Sequence, residues 1–122
     1  MNAITWFEIP AADFERAVRF YEQIYAQALP RDASFPGIRM AMLPYQRPGV
    51  GGCVIAMEQA RPHADGVRVY LAAGDNLEDV LGRVESAGGA VIMPKMLLRE
   101  EIGYIGLFRD SEGNIVGLHS RH

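Results

Sequence analysis

A single cysteine, Cys53, rules out an intrachain disulfide, so no covalent staple holds this fold. One thiol suits a reducing cytoplasm, the setting expected for the chain, and Cys53 reads as a small core filler. Long apolar runs are also missing. No stretch approaches the ~20 residues of a membrane helix, and no membrane partner is expected. The opening MNAITWFEIP has no basic segment leading into an apolar one, so it does not read as a signal peptide. Clustered basic charge is absent too: Arg61, Arg68 and Arg99 are scattered and the formal net charge is -3. That balance excludes the footprint of a nucleic-acid partner. No Ser or Cys nucleophile motif occurs. Gly49-x-Gly51-Gly52 neither follows a strand nor opens a helix, which excludes a phosphate loop.

What is present is an internal repeat. Ile4 to Ile24 and Val67 to Ala87 each read as a strand, an acidic cap and an amphipathic helix. Thr5, Phe7 and Ile9 answer Val67, Val69 and Leu71 at an offset of 62, and Phe14, Ala17, Val18 and Tyr21 answer Leu77, Val80, Leu81 and Val84 at 63. One residue inserted near Gly74 explains the slip. With 122 residues, 49% of them hydrophobic, the chain fits one domain spanning 1–122 and divides into modules 1–60 and 65–122.

The first strand, from Ala3 to Pro10, puts Thr5, Phe7 and Ile9 on one face and Trp6 and Glu8 on the other. Asp13 is a good helix N-cap, and Leu29-Pro30 stops the helical pattern. Ile38 to Leu43 and Gly52 to Met57 read as strands around a Pro48-Gly49 turn, with an earlier short strand near Ala28. Glu58 to Gly66 is the linker. In the second copy Val67, Val69 and Leu71 face one way and Arg68 and Tyr70 the other; Asp75 or Asn76 caps a helix that Gly88-Gly89 ends. Strands follow at Ala90 to Met93, Tyr104 to Arg109 and Ile115 to Ser120, the last two joined by the turn Asp110 to Asn114. Each half is therefore βαβββ, an α+β arrangement in which one sheet face still needs a cover.

These residues resemble the vicinal oxygen chelate superfamily, which includes glyoxalase I, bleomycin- and fosfomycin-resistance proteins and extradiol dioxygenases. The resemblance runs the length of the chain. It rests on strand–x–Asp13–helix ending in Phe20-Tyr21-Glu22, on Arg83-Val84-Glu85-x-Ala87-Gly88-Gly89, and on Phe108-x-Asp110-x-Glu112-Gly113-Asn114…Leu118-His119. It implies two βαβββ modules forming a curved mixed sheet around a cavity, with the two first strands side by side. In enzyme members the cavity holds a divalent metal on His, Glu or Gln side chains from both modules. The matching positions here are Trp6 and Arg68 on the first strands, and Gly117 and Ile55 on the last strands at the offset of 62. None is a metal ligand, so no metal and no cofactor are expected.

Strand alternation lists what faces the cavity instead: Trp6, Glu8, Arg68, Tyr70, Gly117 and His119, with Cys53, Ile55 and Met57 from the fourth strand. Glu8 and Arg68 can pair, either as a structural ion pair or as ligand anchors. Trp6 either fills the space of a metal shell or forms a stacking wall. Gly117 is either incidental or leaves room for a ligand. Two functions follow. One is a metal-free small-molecule binder, a homodimer using Trp6, Met57, Arg68, Tyr70 and Gly117. The other is a lyase, isomerase or dioxygenase with an atypical metal site or metal-free acid–base chemistry on Glu8 and His119. A third use, docking another protein, needs an exposed apolar patch. His63 reads as solvated and Glu100-Glu101 as a lid or cavity rim.

Overall fold

The computed structural model describes residues 2–122. Module one runs β1 (Trp6–Pro10), α1 (Phe14–Tyr25), β2 (Arg31–Asp32), β3 (Arg39–Met42) and β4 (Gly51–Ala56). Module two runs β5 (Tyr70–Ala72), α2 (Glu78–Leu81), β6 (Ala90–Arg99), β7 (Gly103–Arg109) and β8 (Ile115–Ser120). The α+β pattern of two βαβββ units is present as two four-stranded mixed sheets, ordered β1-β4-β3-β2 and β5-β8-β7-β6. In both, the first strand pairs in parallel with the last, and the remaining pairs are antiparallel. No helix among the described residues is long and apolar enough to cross a membrane.

Asp13 caps α1 by accepting the Arg16 N–H at 3.1 Å. The apolar stripe of α1 then buries Phe14, Ala17, Val18 and Tyr21, joined by Phe20 and Ile24. The helix ends earlier than Leu29-Pro30: Ala26 takes the left-handed conformation at φ 55, and Glu22 turns back to accept the Leu29 N–H at 2.9 Å. Both sheets give one face to a single core. Ile9, Ala41 and Val54 from the first meet Leu71, Phe108, Val116 and Leu118 from the second across α1 and the buried side chains of the α2 segment. Phe20, Tyr21 and Phe108 form an aromatic cluster at its centre, with ring centroids 5.0–6.3 Å apart.

The terminal motif closes the modules together. Glu112 accepts the Ala12 and Asp13 N–H groups at 2.9 and 2.7 Å and the Arg16 Nε at 2.7 Å. Asn114 donates its Nδ2 to Pro10 O, and Tyr21 OH donates to Asp110, both at 2.8 Å. These spacings, read in sequence as a signature, are thus a hydrogen-bonded latch from the β7–β8 turn onto the start of α1. The Glu112 side chain is 0% exposed. Burial raises its pKa, but the Arg16 bond and the Asp13 N–H outweigh it and hold the pKa below the ordinary 4.5. A lowered carboxylate stabilises the fold above its unfolded pKa and loses that contribution as pH falls through the folded value. Glu112→Gln is therefore expected to cost about 2 kcal/mol at neutral pH and to flatten the acid limb of stability. Denaturant titrations between neutral and acidic pH check this.

Several expectations are corrected. The first strand starts at Trp6, not Ala3, and the early short strand is at Arg31–Asp32. Val67 lies outside the ladder and is 96% exposed, because pairing with β8 begins only where Gly117 N–H reaches Val69 O. The second helix is regular only over Glu78–Leu81; i−3 backbone bonds flank it at Asp79 and Val80 and again at Arg83 and Val84. Asn76, not Asp75, supplies the polar side chain at its start, accepting the Glu78 N–H at 3.0 Å. Its end is as expected: Gly88 at φ +104 lets Gly88 N–H reach Glu85 O and Gly89 N–H reach Val84 O. The strand after it continues through Pro94 to Arg99, with register shifts on either side of Met93 and after Leu97 that absorb the proline.

The two first strands are not paired with each other. β1 bonds only β4 and β5 only β8, each satisfied on one side by the last strand of its own module. Glu8 and Arg68 form no ion pair among the described residues.

Candidate functional site

Strand register gives the counterparts of each position directly. Glu8 pairs with Cys53, and Tyr70 pairs with Gly117. Since Glu8 and Tyr70 are repeat mates at 62, the counterpart of Gly117 is Cys53 at an offset of 64, not Ile55. The loops between helix and last strand differ in length, so an offset taken from the first strands overshoots there. Period 2 keeps Cys53 and Ile55 on one face, so the face assignment survives.

The positions at which the resemblance implies metal ligands are therefore Trp6, Arg68, Gly117 and, by register, Cys53. An indole, a guanidinium and a bare backbone offer no ligand. The Cys53 thiol is buried, and burial together with the Glu8 charge pushes its pKa up to about 12, which leaves it as the single sulfur donor in the set. Among the described residues no three His, Cys, Asp or Glu side chains converge as a metal site. This donor set does not fit a divalent metal.

A cavity of about 530 Å³ opens instead between β1, the end of α1, the β3–β4 loop and β5. Its walls carry Phe7, Tyr25, Tyr45 and Tyr70, with Gln46 and Arg68 as its longer polar side chains. Three of those rings sit where a strand glycine leaves out a Cβ. A Cβ at Gly52 would lie 2.3 Å from the Phe7 ring, one at Gly51 2.7 Å from Tyr45, and one at Gly117 2.2 Å from Tyr70. The space at Gly117 is thus taken by Tyr70, and the glycine positions that ring rather than leaving room for a ligand. Tyr25 OH donates to Ala72 O at 3.1 Å, tying α1 to β5, and burial holds its pKa well above the usual phenol. The tyrosine therefore lines the cavity as a neutral hydroxyl.

The residues singled out from sequence divide among different places. Arg68 and Tyr70 line this cavity. Trp6, 41% exposed, and half-buried Met57 do not; Met57 forms an isolated bridge with Ala60 in the linker. Glu8 lines a separate cleft with Arg61 and His63. His119 is held by its Nε2, 2.6 Å from Ile102 O, which fixes that nitrogen as the donor and occupies it. Phe7 and Tyr45 were missed. Alternation assigned Phe7 to the helix face, but its ring reaches the cavity over Gly52; Tyr45 lies in a loop, where periodicity is silent.

No family model matches the chain, and no curated protein matches its sequence. Solved structures do match its fold. A glyoxalase I mutant from Zea mays superposes with a TM-score of 0.71 at 20% identity, over 96% of this chain and 46% of that one. The chain thus spans less than half the length of the maize protein. A glyoxalase/bleomycin resistance protein from Albidiferax ferrireducens gives 0.69 at 16% identity, over 99% of this chain and 100% of its own. TnmS3, an antibiotic binding protein from Streptomyces, gives 0.66 at 23% identity, over 98% and 96%.

Proposed function

We propose that this chain, whose fold is that of the vicinal oxygen chelate superfamily, binds a small planar aromatic anion without a divalent metal. The carrying observation is the cavity of about 530 Å³, whose lining includes four aromatic side chains and one guanidinium. A largely apolar pocket with few polar groups is the usual composition of a small-molecule site. Stacking between Tyr45 and Tyr70 would hold the ring, and Arg68 would take a carboxylate in bidentate fashion. Support by analogy comes from the antibiotic-binding structural neighbour. Naphthoate titrated calorimetrically is expected to bind, and Arg68→Gln to weaken it roughly tenfold, a difference of about 1.4 kcal/mol. Naphthamide, lacking the charge, is expected to bind the native protein about as weakly as naphthoate binds the variant. Equal naphthoate affinity in native protein and variant would remove Arg68 from the site.

The assembly proposed with this reading is a cytoplasmic homodimer. Trp6 is an exposed large aromatic outside the shared core, and a second copy would cover it. Sedimentation equilibrium is expected to give twice the chain mass; a monomer at micromolar concentration would contradict it.

A further inference from the structure

A second cleft, which meets the aromatic cavity at Val67 and Val69, lies at the seam between the modules. About 210 Å³ in volume, it is floored by Ile9, Val69 and Val116 and flanked by Glu8, Arg61 and His63. Ile9 and Val116 are buried, whereas Glu8 and Arg61 are exposed. The two charges are of opposite sign, line one cleft, and make no ion pair with each other or with any other described residue. Opposite charges left apart across an apolar floor match a ligand that carries both signs itself.

The walls are also held in place. Asn114 is buried and donates Nδ2 to Pro10 O at 2.8 Å, at the end of β1, while its Oδ1 accepts the His63 N–H at 3.0 Å. One side chain thus pins the linker that carries Arg61 and His63 to the strand that carries Glu8. Holding the cleft open in advance reduces the ordering cost of binding. From this geometry we infer that the seam cleft binds a small zwitterion of the α-amino acid class with a short aliphatic side chain. The ammonium goes to Glu8, the carboxylate to Arg61 with His63 beside it, and the aliphatic group rests on Ile9, Val69 and Val116.

L-Valine is the probe. Calorimetric titration of the full chain is expected to show binding, with isobutylamine and isovalerate, which each keep one charge, at least roughly tenfold weaker. Glu8→Gln and Arg61→Gln, both at exposed positions that leave the core intact, are each expected to reduce valine affinity by a similar factor. Valine affinity is expected to be the same with and without saturating naphthoate, which separates this cleft from the aromatic cavity. The inference is overturned if valine gives no heat at about 10 mM. It is equally overturned if both variants bind valine as the native chain does, or if naphthoate displaces it.

Discussion

Phe108→Ala is expected to destabilise the protein by about 3–5 kcal/mol, the cost of removing a fully buried aromatic side chain. The site explains the size. Phe108 belongs to module two, yet its ring packs against Phe20 and Tyr21 on the helix of module one, at 5.8 and 6.3 Å. Truncation leaves a cavity between layers that cannot close without moving α1 off its sheet. Because both modules share that core, the loss should appear as one cooperative transition at lower denaturant, with no separate unfolding of module two. Chemical denaturation followed by far-ultraviolet circular dichroism and by Trp6 fluorescence checks this. Two non-coincident transitions would mean that the modules fold independently.

Asp110→Ala is expected to cost about 3 kcal/mol or more, since it strands buried donors. Asp110 accepts Tyr21 OH and Asn114 Nδ2 on one oxygen and the Glu112 and Asn114 N–H groups on the other, at 2.8–2.9 Å. Asp110→Asn keeps one accepting oxygen but sets an amide against the Asn114 amide, so about half of that loss is expected. The pH dependence separates this residue from its neighbour. Burial, only partly offset by those hydrogen bonds, raises the Asp110 pKa above 3.8. A raised carboxylate contributes most below its unfolded pKa, and that contribution declines as pH rises through the folded value. The stability difference between native protein and Asp110→Asn should therefore shrink as pH rises from about 4. For Glu112→Gln the difference should instead grow as pH rises toward about 4.5 and level off above it. Like slopes for both would refute the assigned causes.

How far the fold was legible depended on how strongly each segment is constrained by periodicity. Phe14, Ala17, Val18 and Tyr21 occupy a helix face fully buried against a sheet, so their spacing carried the message intact. Asp13 and Gly88 were readable because an N-cap and a left-handed C′ residue each demand a particular chemistry. Val67 carried a false signal: it continues the alternation of Val69 and Leu71 but lies before the ladder, where nothing covers it. The extension of β6 past Pro94 was hidden because proline ordinarily ends strand pairing and here is absorbed by irregular register. Alternation placed Arg68 and Tyr70 on one strand face, the resemblance supplied the expectation of a cavity there, and both residues line the cavity found. The ring of Tyr45 was not legible, since it reaches the cavity from a loop, and neither was the role of Gly117, which depends on a cross-strand neighbour that no local pattern reveals. The offset of 64 between last strands likewise needs the register, because loop lengths between repeats are free to differ.

The central claim is that the inter-module aromatic cavity holds a planar anion through Arg68 and its tyrosines. A crystal structure of the protein with naphthoate tests it most directly. The naphthalene ring is expected between Tyr45 and Tyr70, with the carboxylate within about 3 Å of the Arg68 guanidinium. Naphthoate bound elsewhere on the chain, with this cavity empty, would contradict it.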